Sequence, residues 1–397
     1  MDNKSLPVAT TIPIVDAFQA IPVVQAIPVN SAFASSKTLT PQVYSILMHA
    51  NSFTVREQVK LAPEYCFGCP PCLRAAKSFY VSAGNDSTGT DLSGQLFRAD
   101  EVSEKWNRCC CFPKHPYKME FRQYMPMPGE IKGRASEFSV VMQDMQRNWS
   151  TMSVVNRGKA LKEKYMAQPP VFTAIRDGQQ CCCCNGCFGP CCINKCLGCY
   201  ACCDLCLDGT SVVAGATNEV EDSDIGKVPG GANVLGYGGV PCLGGHCTPT
   251  VHLSDQPFPN ENSWGKIEGP TCFAGCSELC CDFHFPVSKF GSKKKAGDLA
   301  LIKKRRPRGI AAGLRELVSD ADVFTIEFKD KSLTPEQKAV ILGNQILMDF
   351  MFFEGEEQDK CGPTADGSGC YILLCNCYFY GVLCPCKLVC KKGEGGN

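Results

Sequence analysis

Cysteine is the residue type with the most chemistry to offer in this chain, at 31 of 397 positions. Twelve of them fall between Cys181 and Cys206. Several pairs there have Cys-x-x-Cys spacing, among them Cys184/Cys187, Cys196/Cys199, Cys199/Cys202 and Cys203/Cys206. That spacing suits tetrahedral thiolate ligation of zinc, and with no histidine in the stretch a site on Cys184, Cys187, Cys196 and Cys199 would be all sulfur. The run Cys181, Cys182, Cys183, Cys184 equally suits thioester attachment of lipid, and a redox-active or unstructured segment is the third reading. A second run, Cys109, Cys110 and Cys111, cannot be all core, because adjacent side chains on a strand point to opposite faces. Consecutive cysteines are also poorly spaced to share one zinc, so lipidation explains them best. Two or more acyl chains hold a protein on a bilayer where one anchors it marginally. The tail, CYILLCNCYFYGVLCPCKLVCKK, mixes cysteines with apolar residues and ends in a lysine pair. It is too broken for a span and suits an interfacial, acylated anchor.

The opening MDNKSLPVATT has no charged stretch leading into an apolar core, and the cysteine count is odd. Both point to a reducing, cytosolic compartment rather than a secreted disulfide scaffold. The N-x-S sequons at Asn3, Asn85 and Asn148 then carry no meaning. Lys+Arg and Asp+Glu are both 40, so no global charge argues for nucleic acid or an acidic substrate. One local patch stands out: Lys303, Lys304, Arg305, Arg306 and Arg308, with Lys293 to Lys295 upstream. It reads as a solvated loop, as a contact for anionic lipids at about 1 kcal/mol per basic residue, or as a nuclear-localisation signal supporting a nuclear pool. The five histidines (His49, His115, His246, His252 and His284) sit in no nucleophile or metal motif. No catalytic constellation stands out, and an enzyme is not expected.

Positioning elements follow from hydrophobic period. Residues 1–45 repeat Ile-Pro-Val and are expected to be disordered, since proline at that spacing blocks helix and removes sheet donors. Residues 46–355 read as one β-domain. VREQVKLA, KSFYVSA, GQLFRAD and YKMEFRQY alternate or are rich in aromatic and β-branched residues, and the pattern resumes near Val234 through VHLSDQ, WGKIEG, CDFHFPV and VFTIEF. Residues 129–227 break it and are expected to be an insertion. Residues 356–397 form the cysteine-rich tail.

The period changes at Thr334-Pro335-Glu336-Gln337, a capping box with proline at the first helical position. The helix is predicted to run to about Glu354, with Gly355 as its stop. It is apolar nearly all round, Ile341, Ile346, Phe350 and Phe353 included, so it is buried in protein or in lipid. Its length of roughly 30 Å allows a membrane span. Asn344, Gln345 and Asp349 argue against one, because an aspartate at the bilayer centre costs about 2.5–3.5 kcal/mol. Inside a closed barrel the same residues find hydrogen-bond partners, and a buried plug is the favoured reading.

GLRELVSDADVFTIEF followed by AVILGNQILMDFMFFEG, within 313–354, resembles the C-terminal end of the phospholipid scramblases. RCCCFP at 108–113 resembles that family's palmitoylated cysteine motif, CFGCPPC at 66–72 an earlier cysteine pair, EGPTCFAGCSELCCDFHF its Gly-Pro-Cys segment, and GGVPCL at 238–243 a short proline-cysteine link. The resemblance covers about 51–128 and 228–354. It implies a tubby-like fold: an antiparallel closed β-barrel around a central hydrophobic C-terminal helix. It implies calcium-activated, energy-independent, bidirectional phospholipid scrambling at the cytoplasmic face of the plasma membrane. The alternative is a palmitoyl-anchored protein that binds lipids or partners without transport.

The segment the family uses for calcium opens here with Asp320 and Asp322, and Glu327 and Asp330 add oxygens. Carboxylates at positions 1 and 3 suit a hard cation. Thr325 stands where an EF-hand has glycine and Lys331 where it has a bidentate glutamate, while Phe324, Ile326 and Phe328 read as the inward face of a strand. An acidic turn entering a core strand fits the same residues. One helix with three polar residues supplies no headgroup path across about 30 Å of hydrocarbon. A homo-oligomer or local bilayer disturbance would have to provide it.

Overall fold

The computed structural model describes residues 39–58, 76–85, 95–103, 116–123, 169–176, 209–215, 233–241, 245–257, 263–292, 297–307, 322–353, 361–364, 369–380 and 382–391. The cysteine runs at 109–111 and 181–206, the N-terminal Ile-Pro-Val repeats, Asp320 and Arg308 lie outside the described residues.

Twelve short antiparallel strands close into a barrel. Along the chain they are β1 (Ser52–Glu57), β2 (Ser78–Ala83), β3 (Gln95–Val102), β4 (Tyr117–Gln123), β5 (Phe172–Arg176), β6 (Gly209–Ala214), β7 (Val234–Gly239), β8 (Thr250–Ser254) and β9 (Ser263–Glu268). After a two-residue strand, β10 (Cys272–Phe273), come β11 (Phe283–Lys289), β12 (Ala300–Lys304) and β13 (Val323–Phe328). Each barrel strand pairs with its neighbour in sequence, with β10 skipped, and β13 returns to β1, where Ser52 pairs with Glu327 and Arg56 with Val323. Alternation sets the core: Phe53 and Val55, Phe79 and Val81, Phe97 and Ala99, and Met119 and Phe121 are fully buried.

The expected insertion at 129–227 needs correction. It contains β5 and β6, which are barrel staves: β5 pairs with both β4 and β6, and β6 continues to β7. The rest of that stretch, apart from residues 169–176 and 209–215, lies outside the described residues, Cys181 to Cys206 included.

Eight strands enclose an interior that side chains just fill, so twelve leave a wider lumen that needs a further element. The chain supplies it as the second of two helices, α1 (Pro41–His49) and α2 (Pro335–Phe352). The α2 capping box forms as predicted. Thr334 Oγ1 accepts from the Gln337 N–H at 3.2 Å, and Gln337 Oε1 accepts from the Thr334 N–H at 3.1 Å. The helix stops at Phe352, slightly before the expected end. Fifteen of its 18 residues are buried, on every side of the rod, so strands surround it. Among the described residues no helix is long and apolar enough to cross a membrane.

Contact between wall and rod is closest where side chains are smallest. Gly343 of α2 faces Ala174 of β5 and Val212 of β6, and on β7 a Cβ at Gly238 would land on the Asn344 amide. Helix α1 lies against α2. The ammonium of Lys338 donates to the carbonyls of Leu47, Met48 and Ala50 at 2.9, 3.0 and 2.9 Å. These include orphan acceptors at the end of α1. Burial pushes the Lys338 pKa down.

The tail is structured as well. Strands β14 (Cys361–Pro363), β15 (Gly369–Phe379) and β16 (Val382–Lys391) form a second antiparallel sheet that includes β10. Tyr378 fixes it to the core: its ring meets Phe352 edge-on at 5.8 Å, and its N–H donates to the Thr271 carbonyl at 2.7 Å.

Candidate functional site

Two groups of buried ion-paired residues lie against α2 and its end. On β12 the side chains of Ala300, Ile302 and Lys304 are buried while Leu301 and Lys303 are only partly so. Lys304 therefore points inward, between Glu278 Oε1 at 2.7 Å and Asp322 Oδ2 at 2.8 Å, with its ammonium 3.7 Å from the centre of the Phe353 ring. Glu278 comes from a short 3-10 helix, Gly275–Leu279, entered through Ala274 at φ 65°, a strained left-handed conformation. Further along α2, Asp349 is fully buried and its Oδ2 lies 3.2 Å from Lys77 Nζ. Lys77 also pairs with Glu57 at 3.1 Å and sits 5.3 Å from the Phe350 ring centre. These partners complete the plug: Ile341, Ile346, Asp349, Phe350 and Phe353 are all buried, as the helix reading expects.

The basic run needs correction, because it is not one surface patch. Lys304 belongs to the interior. Lys303 is on the outer face, 3.1 Å from Glu327. Arg305 holds Asp282 at 3.1 Å, Asn85 Oδ1 at 2.8 Å and Thr325 Oγ1 at 3.1 Å. Arg306 donates its backbone N–H to Asp282 and a guanidinium N–H to the Cys280 carbonyl. Burial raises the Asp282 pKa, but the Arg306 N–H and the Arg305 guanidinium bring it net below the usual value. These four basic side chains brace the wall, with much of their charge already engaged.

The acidic residues proposed for calcium are likewise dispersed. Asp322 faces inward to Lys304 and Glu327 outward to Lys303, so the wall separates them. Asp330 accepts from the Ser332 hydroxyl and N–H and pairs with Lys289, which bring its pKa down to about 2. Phe324 and Ile326 are fully buried core residues, as the strand reading expects. Asp322, Glu327 and Asp330 thus form no common ligand set.

Outside the barrel, the hairpin of β15 and β16 presents an apolar face. Six of the nine large apolar side chains most exposed among the described residues lie on this hairpin (Ile372, Leu374, Phe379, Tyr380, Leu388 and Val389), and Ile372, Leu374, Phe379 and Leu388 share that face, while Val389, the partner of Tyr371, is on the other. Ile372 and Leu388 are cross-strand partners. The free thiols of Cys370, Cys384 and Cys390 are exposed beside them. Sequence reasoning found the composition of this surface but not its strands. It missed Lys77, Glu57, Glu278 and Lys338 altogether, because their partners are far away in sequence.

A closed antiparallel barrel threaded by a fully buried helix, with an apolar sheet on its flank, defines the architecture. The family model for Scramblase matches residues 245–355, from just before β8 to the end of α2. Phospholipid scramblase 1 of Mus musculus is 32% identical over 130 residues, covering 31% of this chain and 36% of that protein. Phospholipid scramblase 2 of Bos taurus is 33% identical over 120 residues, 29% of this chain and 36% of that protein. Phospholipid scramblase 1 of Homo sapiens is 35% identical over 99 residues, 24% and 28% of the two chains. No solved structure matches. This barrel segment and core helix carry the chain's similarity to the phospholipid scramblases. The chain spans about a third of the length of the curated relatives it matches.

Proposed function

We propose that the protein is a membrane-bound phospholipid scramblase of the cytoplasmic face of the plasma membrane, exchanging lipids between leaflets in both directions, without energy input, when calcium rises. The observation that carries this reading is the family match across β8 to α2, the part of the chain that supplies five of the twelve wall strands and the helix that fills the lumen. No bond is made or broken in such an exchange, so the protein is not an enzyme. Acyl chains on Cys109 to Cys111 and Cys181 to Cys184 are proposed as the tether. The apolar face of the β15–β16 hairpin would lie against the bilayer beside them.

With α2 packed in the lumen, headgroups have no route through the barrel. Transfer must use the outer surface, through bilayer disturbed at the hairpin or between copies of the chain. The test is reconstitution into vesicles with a fluorescent lipid whose outer-leaflet pool is bleached by an impermeant reductant. Calcium should accelerate bleaching of the inner pool. Membrane binding with no calcium-dependent exchange would leave the second reading, a tethered lipid- or partner-binding protein, which the occupied lumen favours. In the same assay Asp320→Ala should weaken the calcium response of a folded chain. Asp322→Ala is unsuitable alone, since it removes a partner of buried Lys304.

The hairpin contact makes a separate prediction. Ile372→Asp with Leu388→Asp removes two exposed apolar side chains, at about 1 kcal/mol or more each if half-buried in lipid. Vesicle co-sedimentation of the non-acylated chain should fall at least about tenfold, with the thermal transition unchanged. Equal sedimentation would take the hairpin out of the membrane contact.

A further inference from the structure

The β10–β15–β16 sheet gathers thiols that the sequence scatters. Cys272 of β10 is the cross-strand partner of Cys377 on β15, and Cys375 of β15 is the partner of Cys386 on β16. The sulfurs of Cys272, Cys375 and Cys377 all lie within 4.8 Å of one another, and Cys386 Sγ is 3.6 Å from Cys377 Sγ. A bulge between Leu373 and Cys375 makes this possible. Before it, Tyr371 and Leu373 are on the more buried side of β15. After it, Asn376 and Tyr378 take that side, and Cys375 and Cys377 turn outward toward Cys272. All four thiols are on one face of three adjacent strands.

We infer that Cys272, Cys375, Cys377 and Cys386 form a four-thiolate zinc site that fastens the C-terminal hairpin to β10. Zinc bonded to sulfur at about 2.3 Å in a tetrahedron sets sulfurs about 3.8 Å apart. The Cys377–Cys386 separation already matches that edge. Cys272 Sγ and Cys377 Sγ, at 2.7 Å, must open by about 1 Å, which a side-chain rotation of exposed Cys272 supplies. Binding ionises the four thiols and releases their protons to solvent. A Cys272–Cys377 disulfide is the competing outcome. It would use two of the four sulfurs and leave Cys375 and Cys386 clustered without a role. The site is separate from Cys184, Cys187, Cys196 and Cys199, and it does not depend on lipid exchange.

The test counts zinc per chain by elemental analysis on the full protein, purified without oxygen in a phosphine reductant and stripped of loosely held metal. Cys375→Ser with Cys377→Ser should lower the count by about one zinc. Cys370→Ser with Cys390→Ser, exposed cross-strand partners outside the cluster, should lower it by none. Should the first variant fail to fold, Cys272→Ser, at an exposed position, should weaken retention of that zinc against a competing chelator at least tenfold. Cobalt(II) loading of the parent should add thiolate charge-transfer absorption that the cluster variants lack. Identical zinc counts and retention in parent and cluster variants overturn the site. So does a Cys272–Cys377 bond in the peptide map of the reduced-purified protein.

Discussion

Lys304→Ala should destabilise the fold by about 3–5 kcal/mol, the range for breaking a buried ion pair by removing one partner. Lys304 is 2% exposed, and it stands between Glu278 and Asp322, which are 4% and 2% exposed. Removing it deprives two carboxylates of the cation between them, in a site closed by Phe324 and Phe353. The loss falls toward the upper end of that range because two anions then face each other where water does not reach. Lys303→Ala, one residue earlier, is the control. Its partner Glu327 is on the outer face, and exposed pairs contribute about 0–1 kcal/mol. Urea titrations of the two variants should therefore separate clearly, with a large drop in midpoint only for Lys304. Equal small shifts would return Lys304 to the surface. A variant with Lys304→Met, Glu278→Leu and Asp322→Leu together should recover much of the loss, since apolar replacement of a whole buried charge group is often neutral.

The adjacent lysines show what was legible in the sequence and what was not. ALIKK alternates on a strand, so one of the pair must point inward, yet charge density alone groups both with Arg305 and Arg306 on a surface. The helix was plain: a Thr-Pro-Glu-Gln start and an apolar surface on all sides fix both its boundary and its burial. Strands β1 to β4 were plain for the same reason, a period of two over six or more residues. Strands β5 and β6 were not. FTAIR and GTSVVA are short, nearly every residue is buried, and cysteine-rich or glycine-rich sequence separates them, so no alternation announces them. Closure of the barrel was also out of reach of local pattern, because Ser52 meets Glu327. In the tail, the bulge after Leu373 shifts the alternation midway and makes an 11-residue strand look irregular. That shift hid the four thiols, whose first and third members are 105 residues apart.

Phe350→Ala should cost about 3–5 kcal/mol, as deletion of a fully buried aromatic ring does where the surroundings cannot collapse. The ring is fully buried, stacks on Tyr117 with centroids 4.6 Å apart, and lies under Lys77, the partner of Asp349. Collapse is limited because hydrogen bonding between antiparallel strands fixes the diameter of the wall. The void therefore persists, and the ion pair above it loses its floor. Phe379→Ala is the informative contrast. That ring is 56% exposed on the hairpin, so its loss should change stability by no more than about 0.5 kcal/mol. Its effect should be on vesicle binding, where Phe350→Ala has none while the chain stays folded. A helix that lay in lipid would reverse the pattern: Phe350→Ala would then weaken membrane retention and leave the denaturation midpoint of the barrel unmoved.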